Sequence, residues 1–273
     1  MSFETLFELF TYPFVYRALV VGVLVSICAA SLGVILVLKR YSLIGHGLAD
    51  VGFAALAIAV VLGWSPMAIS MPIVILASFL IMGISQNKKV NGDIAIGMIA
   101  TGALSVGVIV TALGSGFNVD VYNYMFGSIL AMNDGDVILS LVLSVVVISL
   151  FIIFYKPLFM ITYDEEYGKA LGIPVIQYQF LLSFLTGLTV VIGMRMMGTL
   201  LISSLIIFPA IIAKKLVKSF RMLIVVSGIL SVFAFVIGMI FSFILDLPTG
   251  ACIVFVNIIL LILSTVFKKL IKE

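Results

Sequence analysis

His46 is the only histidine of the chain, and Asp50 follows four residues later in YSLIGHGLADVGFAALAIA, Tyr41 to Ala59. At this spacing both side chains share one face of a helix, about one turn apart. Imidazole plus carboxylate is a ligand set that suits zinc and accepts manganese or iron. The surrounding run is apolar, and an aspartate at mid-helix in a membrane costs roughly 2.5–3.5 kcal/mol on insertion scales, so something must compensate it. Two readings stand. One is a structural His–Asp hydrogen bond that pins neighbouring helices; the other is a cation site on a pathway. Two ligands are too few for a closed tetrahedral site, but a twofold homodimer supplies two of each if this face lines its axis. Such loosely held ligands suit a transit site, from which the ion must leave again.

The apolar setting extends to the whole chain. Of 273 residues, 64% are hydrophobic and 10% charged, and the mean hydropathy is +1.39; a soluble domain has roughly 45–50% apolar and 25% charged residues. The charges fall in short clusters, and the runs between them have the length a helix needs to cross the hydrocarbon. They lack strand-like alternation, which excludes a β-barrel. The expected fold is an all-α polytopic membrane protein, one transmembrane domain over 1–273. Its nine spans are 14–38, 44–63, 66–85, 93–113, 136–155, 175–193, 196–213, 222–245 and 250–267. Eight is the alternative, because Arg195 and Met196 leave almost no turn between the sixth and seventh. Cys28 and Cys252 lie inside apolar runs, where a thiol behaves as a small buried hydrophobe. MSFETLFELF lacks the basic region and cleavage site of a signal peptide, so the first span is expected to be retained.

Orientation follows from the basic residues, which favour the cytoplasmic side. Lys39/Arg40, Lys88/Lys89, Lys156 with Lys169, Lys214/Lys215/Lys218/Arg221 and Lys268/Lys269/Lys272 fall at alternate connections. The N-terminus is then outside and the C-terminus inside. The net charge of +3 reflects these loops and implies no nucleic acid. The opposite connections hold Glu4, Glu8, Asp120, Asp134, Asp136 and Asp246, with Arg17 and Arg195 as their only basic residues. An acidic outer mouth at Asp120 and Asp246 would concentrate cations; solvated loop carboxylates are the plain alternative. VYNYMFGSIL, within the outer connection 114–135, is too short to span and is expected to be re-entrant or interfacial.

Gly and Pro inside the spans, at Pro72, Gly102, Gly107, Gly193, Gly198 and Pro209, are read as membrane helix packing. Between the fifth and sixth spans, YKPLFMITYDEEYGKALGIPV departs from a simple turn. Asp164, Glu165 and Glu166 begin a short helix with Lys169 in its last turn, the charge order a helix dipole favours. Gly172 and Pro174 stop it. This helix at about 160–174 reads either as a solvated linker or as a docking knob for a cytoplasmic partner. Any energy from nucleotide must come from another polypeptide, because the chain has no phosphate loop: YGKA lacks both the preceding glycine and the hydroxyl after the lysine.

Five blocks together resemble one family. YSLIGHGLADVGFAALAIA, YNYMFGSILAM, YGKALGIPV, GMRMMGTLLISSLIIFPAIIA and DLPTGACIV look like the corresponding segments, in order, of the zinc, manganese and iron permeases of bacterial ABC importers. The resemblance implies a homodimeric permease in the bacterial cytoplasmic membrane, with no permanently bound cofactor and no enzymatic activity of its own. It implies cytoplasmic ATPase subunits that use ATP and dock on Asp164, Glu165, Gly168, Lys169, Ala170, Gly172 and Pro174. It further implies an extracytoplasmic metal-binding protein that delivers the ion, and a metal role for His46 and Asp50. In the commonest version of the second-span block an aspartate stands at the position of His46 and a histidine at that of Asp50; here they are exchanged. GMRMMGTLLISSLIIFPAIIA resembles the zinc branch more closely, so zinc is the expected cargo, with manganese or iron as alternatives. Met194, Met196 and Met197 are read as adaptable packing rather than metal contacts. The rival from another class is a stand-alone transporter or channel in which Asp50 and His46 relay protons.

Overall fold

The computed structural model describes residues 13–85, 92–113 and 134–272. They form helices α1 (Pro13–Leu38), α2 (Ile44–Val61), α3 (Pro66–Ser85), α4 (Gly92–Leu113), α5 (Asp134–Ile153), α6 (Tyr155–Tyr163), α7 (Glu165–Ala170), α8 (Val175–Met197), α9 (Thr199–Leu216), α10 (Phe220–Leu245) and α11 (Thr249–Lys272). No strand occurs among the described residues. All except α5, α6 and α7 are individually long and apolar enough to cross a membrane, eight in all. The fifth expected span is α5, whose apolar stretch Val137–Ile153 qualifies only together with α6, from which it is bent by 69°.

Two boundaries differ from the sequence reading for local reasons. The gap expected at 194–195 lies instead at Gly198, whose φ of 84° is costly for residues with a Cβ. Helix α8 therefore runs on through Arg195, and α9 starts after a single residue. The sixth and seventh spans are separate helices, so merging them is not what makes the count eight. The other difference is α6, where Lys156 and Pro157 mask a real helix: it buries Leu158 and Ile161, and Pro157 stands in its first turn, where no backbone donor is required.

Lipid offers helices no hydrophobic reason to associate, so close packing at small residues and interhelical hydrogen bonds take that role. A Cβ on Gly33 of α1 would lie 2.0 Å from the Ile206 carbonyl oxygen of α9, and one on Gly45 of α2 would lie 2.7 Å from Ile206 Cδ1. Both helices thus rest on α9 around Ile206. Gly107 of α4 packs against the Phe53 ring of α2, and Gly193 against Ile202; a Cβ on Gly102 would meet nothing within 4 Å. Ser231 Oγ donates to the Ser26 carbonyl at 3.1 Å, joining α10 to α1, and Ser183 Oγ donates to the Ser78 carbonyl at 2.8 Å, joining α8 to α3.

Candidate functional site

The connection that delivers the pair is rigid. At the end of α1 the Tyr41 N–H reaches the Leu36 carbonyl at 2.8 Å and the Arg40 N–H reaches Val37 at 3.3 Å, with Arg40 at φ 63°. This is a Schellman cap with a left-handed residue. Ile44 N–H then returns to the Tyr41 carbonyl at 3.1 Å and opens α2.

On α2, His46 Nε2 lies 3.7 Å from Asp50 Oδ2. That exceeds hydrogen-bond reach, and both residues belong to one helix, so the contact ties α2 to no neighbour. The histidine side chain is 60% exposed and the aspartate side chain 13%. The Asp50 carboxylate has no hydrogen bond among the described residues, although the residue sits nearly buried in an apolar helix. Both face a cavity of about 520 Å³ formed by α2, α4 and α9 with Val254 of α11.

The cavity wall is apolar at Leu43, Phe53, Leu104, Val108 and Phe208, and polar at Thr199, Ser203 and Ser204 of α9. Ser203 Oγ donates to the Thr199 carbonyl at 2.8 Å and Ser204 Oγ to the Leu201 carbonyl at 2.9 Å. Each hydroxyl proton is thereby used, while the oxygen lone pairs remain able to accept. These residues carry no role in the sequence reading. Their signal is three hydroxyls within six positions at the start of an otherwise apolar span. Among the described residues no three His, Cys, Asp or Glu side chains gather where they could hold a metal ion.

Other candidate residues lie elsewhere. Met194 and Met197 are buried in the core, and the Met194 sulfur packs where a Cβ on Gly52 would be. Asp246 is exposed at the turn between α10 and α11, in the left-handed conformation at φ 51°, and does not line the cavity. Asp120, Glu4, Glu8, Lys88, Lys89 and the VYNYMFGSIL stretch fall outside the described residues.

The second assembly is α6 and α7. Asp164 caps α7 by accepting the Tyr167 N–H at 2.9 Å, Glu165 and Glu166 occupy the first turn and Lys169 the last. The Ile173 N–H reaches back to the Gly168 carbonyl at 3.0 Å, across Gly172 at φ 78°. Gly168 is buried against Val175, whereas Asp164, Lys169, Ala170, Gly172 and Pro174 are exposed. Tyr163, Tyr167 and Leu171 are exposed alongside them. Glu165 alone turns inward: it pairs with Lys39 and accepts from Gln179 Nε2 at 2.8 Å. Burial, and next the charge of Glu165, push the Tyr41 phenol above its ordinary pKa.

A family model, the ABC 3 transport family, matches residues 11–268. The chain belongs to this family. The manganese transport system membrane protein MntC of Halalkalibacterium halodurans is 29% identical over 261 residues, covering 96% of this chain and 89% of the relative. The high-affinity zinc uptake system membrane protein ZnuB of Haemophilus influenzae is 28% identical over 258 residues, covering 94% and 98%. Among solved structures, PsaBC from Streptococcus pneumoniae in complex with Fab superposes with a TM-score of 0.84 at 28% identity, covering 96% of this chain and 94% of that one. The likeness to zinc and manganese permeases of bacterial ABC importers, read from five sequence blocks, is borne out. This permease is a multi-pass protein of the bacterial plasma membrane. The manganese and zinc relatives stand at almost equal identity, so similarity does not separate the two metals.

Proposed function

We propose that the permease is the membrane subunit of an ATP-driven importer for a divalent transition metal, with His46 and Asp50 as its transit ligands. The observation that carries this is an imidazole and a carboxylate, 3.7 Å apart, facing a largely apolar cavity, with no hydrogen bond to the carboxylate among the described residues. A charged group at such depth calls for a partner, and a passing cation is one. Exchange of the two residues relative to the commonest family order keeps both ligand types on the same helix face, so the chemistry is retained.

The site is completed by a second copy of the chain. His46 is 60% exposed on a membrane-spanning helix, and a twofold partner at this flank covers it and doubles the ligand set. The end of the bundle bearing Lys39, α6 and α7 faces the cytoplasm, with the N-terminus outside and the C-terminus inside. Cytoplasmic ATPase subunits dock on 160–174, where Tyr163, Tyr167 and Leu171 offer an apolar surface among Asp164, Lys169, Ala170, Gly172 and Pro174. A metal-binding protein outside delivers the ion to a mouth that Asp120 and Asp246 make acidic.

Zinc is the leading cargo, supported by the imidazole–carboxylate pair. Manganese is the second reading, favoured by the hydroxyl oxygens of Thr199, Ser203 and Ser204 along the same cavity and by the manganese relatives. Uptake by the complete complex in proteoliposomes, with zinc and manganese in competition, decides between them. Half-saturation at lower zinc than manganese supports zinc; the reverse order assigns manganese. Uptake that ignores ATP and follows a proton gradient would establish the stand-alone transporter instead.

A further inference from the structure

We infer that the ion pair between Lys39 and Glu165, with Gln179, is the mechanical link that transmits movement of the ATPase contact helix to the metal ligands; Lys39 is a positioning residue for transport. This rests on α7 being the ATPase contact.

Lys39 closes α1 and its side chain is only 4% exposed. Its Nζ donates to the Ile161 carbonyl of α6 at 2.9 Å and to the Glu165 carboxylate of α7. The same carboxylate oxygen accepts from Gln179 Nε2 on α8, whose residue is buried. The Lys39 ammonium and the Glu165 carboxylate together therefore join four helices, α1, α6, α7 and α8, at one place. Glu165 stands in the first turn of α7, while the exposed surface of that helix, Tyr167 and Lys169, points away from the bundle.

From this point the way to the metal ligands is short and stiff. Lys39 is seven residues before His46. Between them lie the two hydrogen bonds of the cap, Arg40 at φ 63°, and the Ile44 bond that opens α2. Such a connection does not stretch as a loop does, so a displacement at Glu165 moves the start of α2. That start has little free space: Gly45 already touches Ile206 of α9, on which α1 also rests at Gly33. The displacement is thus converted into tilt or sliding of α2 against α9, two of the helices that line the cavity. A buried ion pair contributes little net stability relative to an apolar pair of the same shape. Its distinguishing property is directional: it resists separation, which side-chain packing alone does weakly.

The test uses the complete complex of permease, ATPase and metal-binding protein in proteoliposomes, with zinc as the probe and Lys39→Met, Glu165→Gln and the double variant compared. Assembly, ATP hydrolysis and zinc uptake are each measured. The expected result is intact assembly and near-normal hydrolysis, with zinc carried per ATP reduced about tenfold in each single variant. The double variant is expected to be no worse than either single one, because the two residues act as one unit. Intact assembly with unchanged zinc per ATP in both single variants overturns the inference alone. Loss of assembly in both makes the pair a fold element only and overturns it too. Failure of the unaltered permease to retain an ATPase removes the docking assignment and this inference with it.

Discussion

His46 and Asp50 stand 3.7 Å apart on one face of α2, the histidine open at the flank of the molecule and the aspartate turned into it. The resemblance read from the sequence implies that the order of the two is exchanged, and the helix places both on the same cavity. If the ligand types matter and their order does not, the double variant His46→Asp/Asp50→His keeps metal uptake within about tenfold of the unaltered protein, whereas either single exchange, which leaves two like ligands, loses more. Uptake by cells expressing each variant at matched membrane levels checks this. A dead double variant beside active single ones would show that position outweighs ligand type.

Packing at Ile206 gives a prediction about stability. Gly33→Val places a side chain where a Cβ is already 2.0 Å from the Ile206 carbonyl oxygen, a clash with backbone that cannot rotate aside. Overpacking of this kind costs about 1–3 kcal/mol or more. Gly102→Ala is the control: its Cβ meets nothing within 4 Å, and alanine is the better helix former by about 1 kcal/mol. Thermal unfolding in detergent should fall for the first and hold or rise for the second.

At the proposed docking helix, Tyr167→Ala and Leu171→Asp remove exposed apolar surface. Both should lower co-purification of the ATPase while insertion and thermal stability stay unchanged. Gly172→Arg is a poorer probe, because φ 78° penalises any side chain by about 1–2 kcal/mol. Normal ATPase retention in both Tyr167→Ala and Leu171→Asp would move the docking surface elsewhere.

The spans are legible in the sequence because length and apolarity decide a transmembrane helix almost alone, and α1, α3 and α10 need nothing else. The short helix α7 is legible too, through Asp164 as its cap and Lys169 in its last turn. What escapes is set by contacts far apart in sequence. Lys39 reads as one of several basic residues that orient the chain, and only the fold shows it buried against Ile161 and Glu165. The hydroxyls of Thr199, Ser203 and Ser204 read as ordinary membrane polar residues until α9 is laid beside α2. The break at Gly198 is missed because Arg195 draws the boundary to itself, although glycine is the residue that permits φ 84°.

The most direct measurement is uptake of radioactive zinc by the complete complex carrying His46→Ala or Asp50→Ala, with membrane insertion and ATPase retention measured on the same preparations. Loss of uptake by about a hundredfold in each, with insertion and ATPase retention unchanged, is the predicted result, since each variant removes one of the two proposed ligands. Uptake equal to that of the unaltered permease in both variants would contradict a transit site on α2.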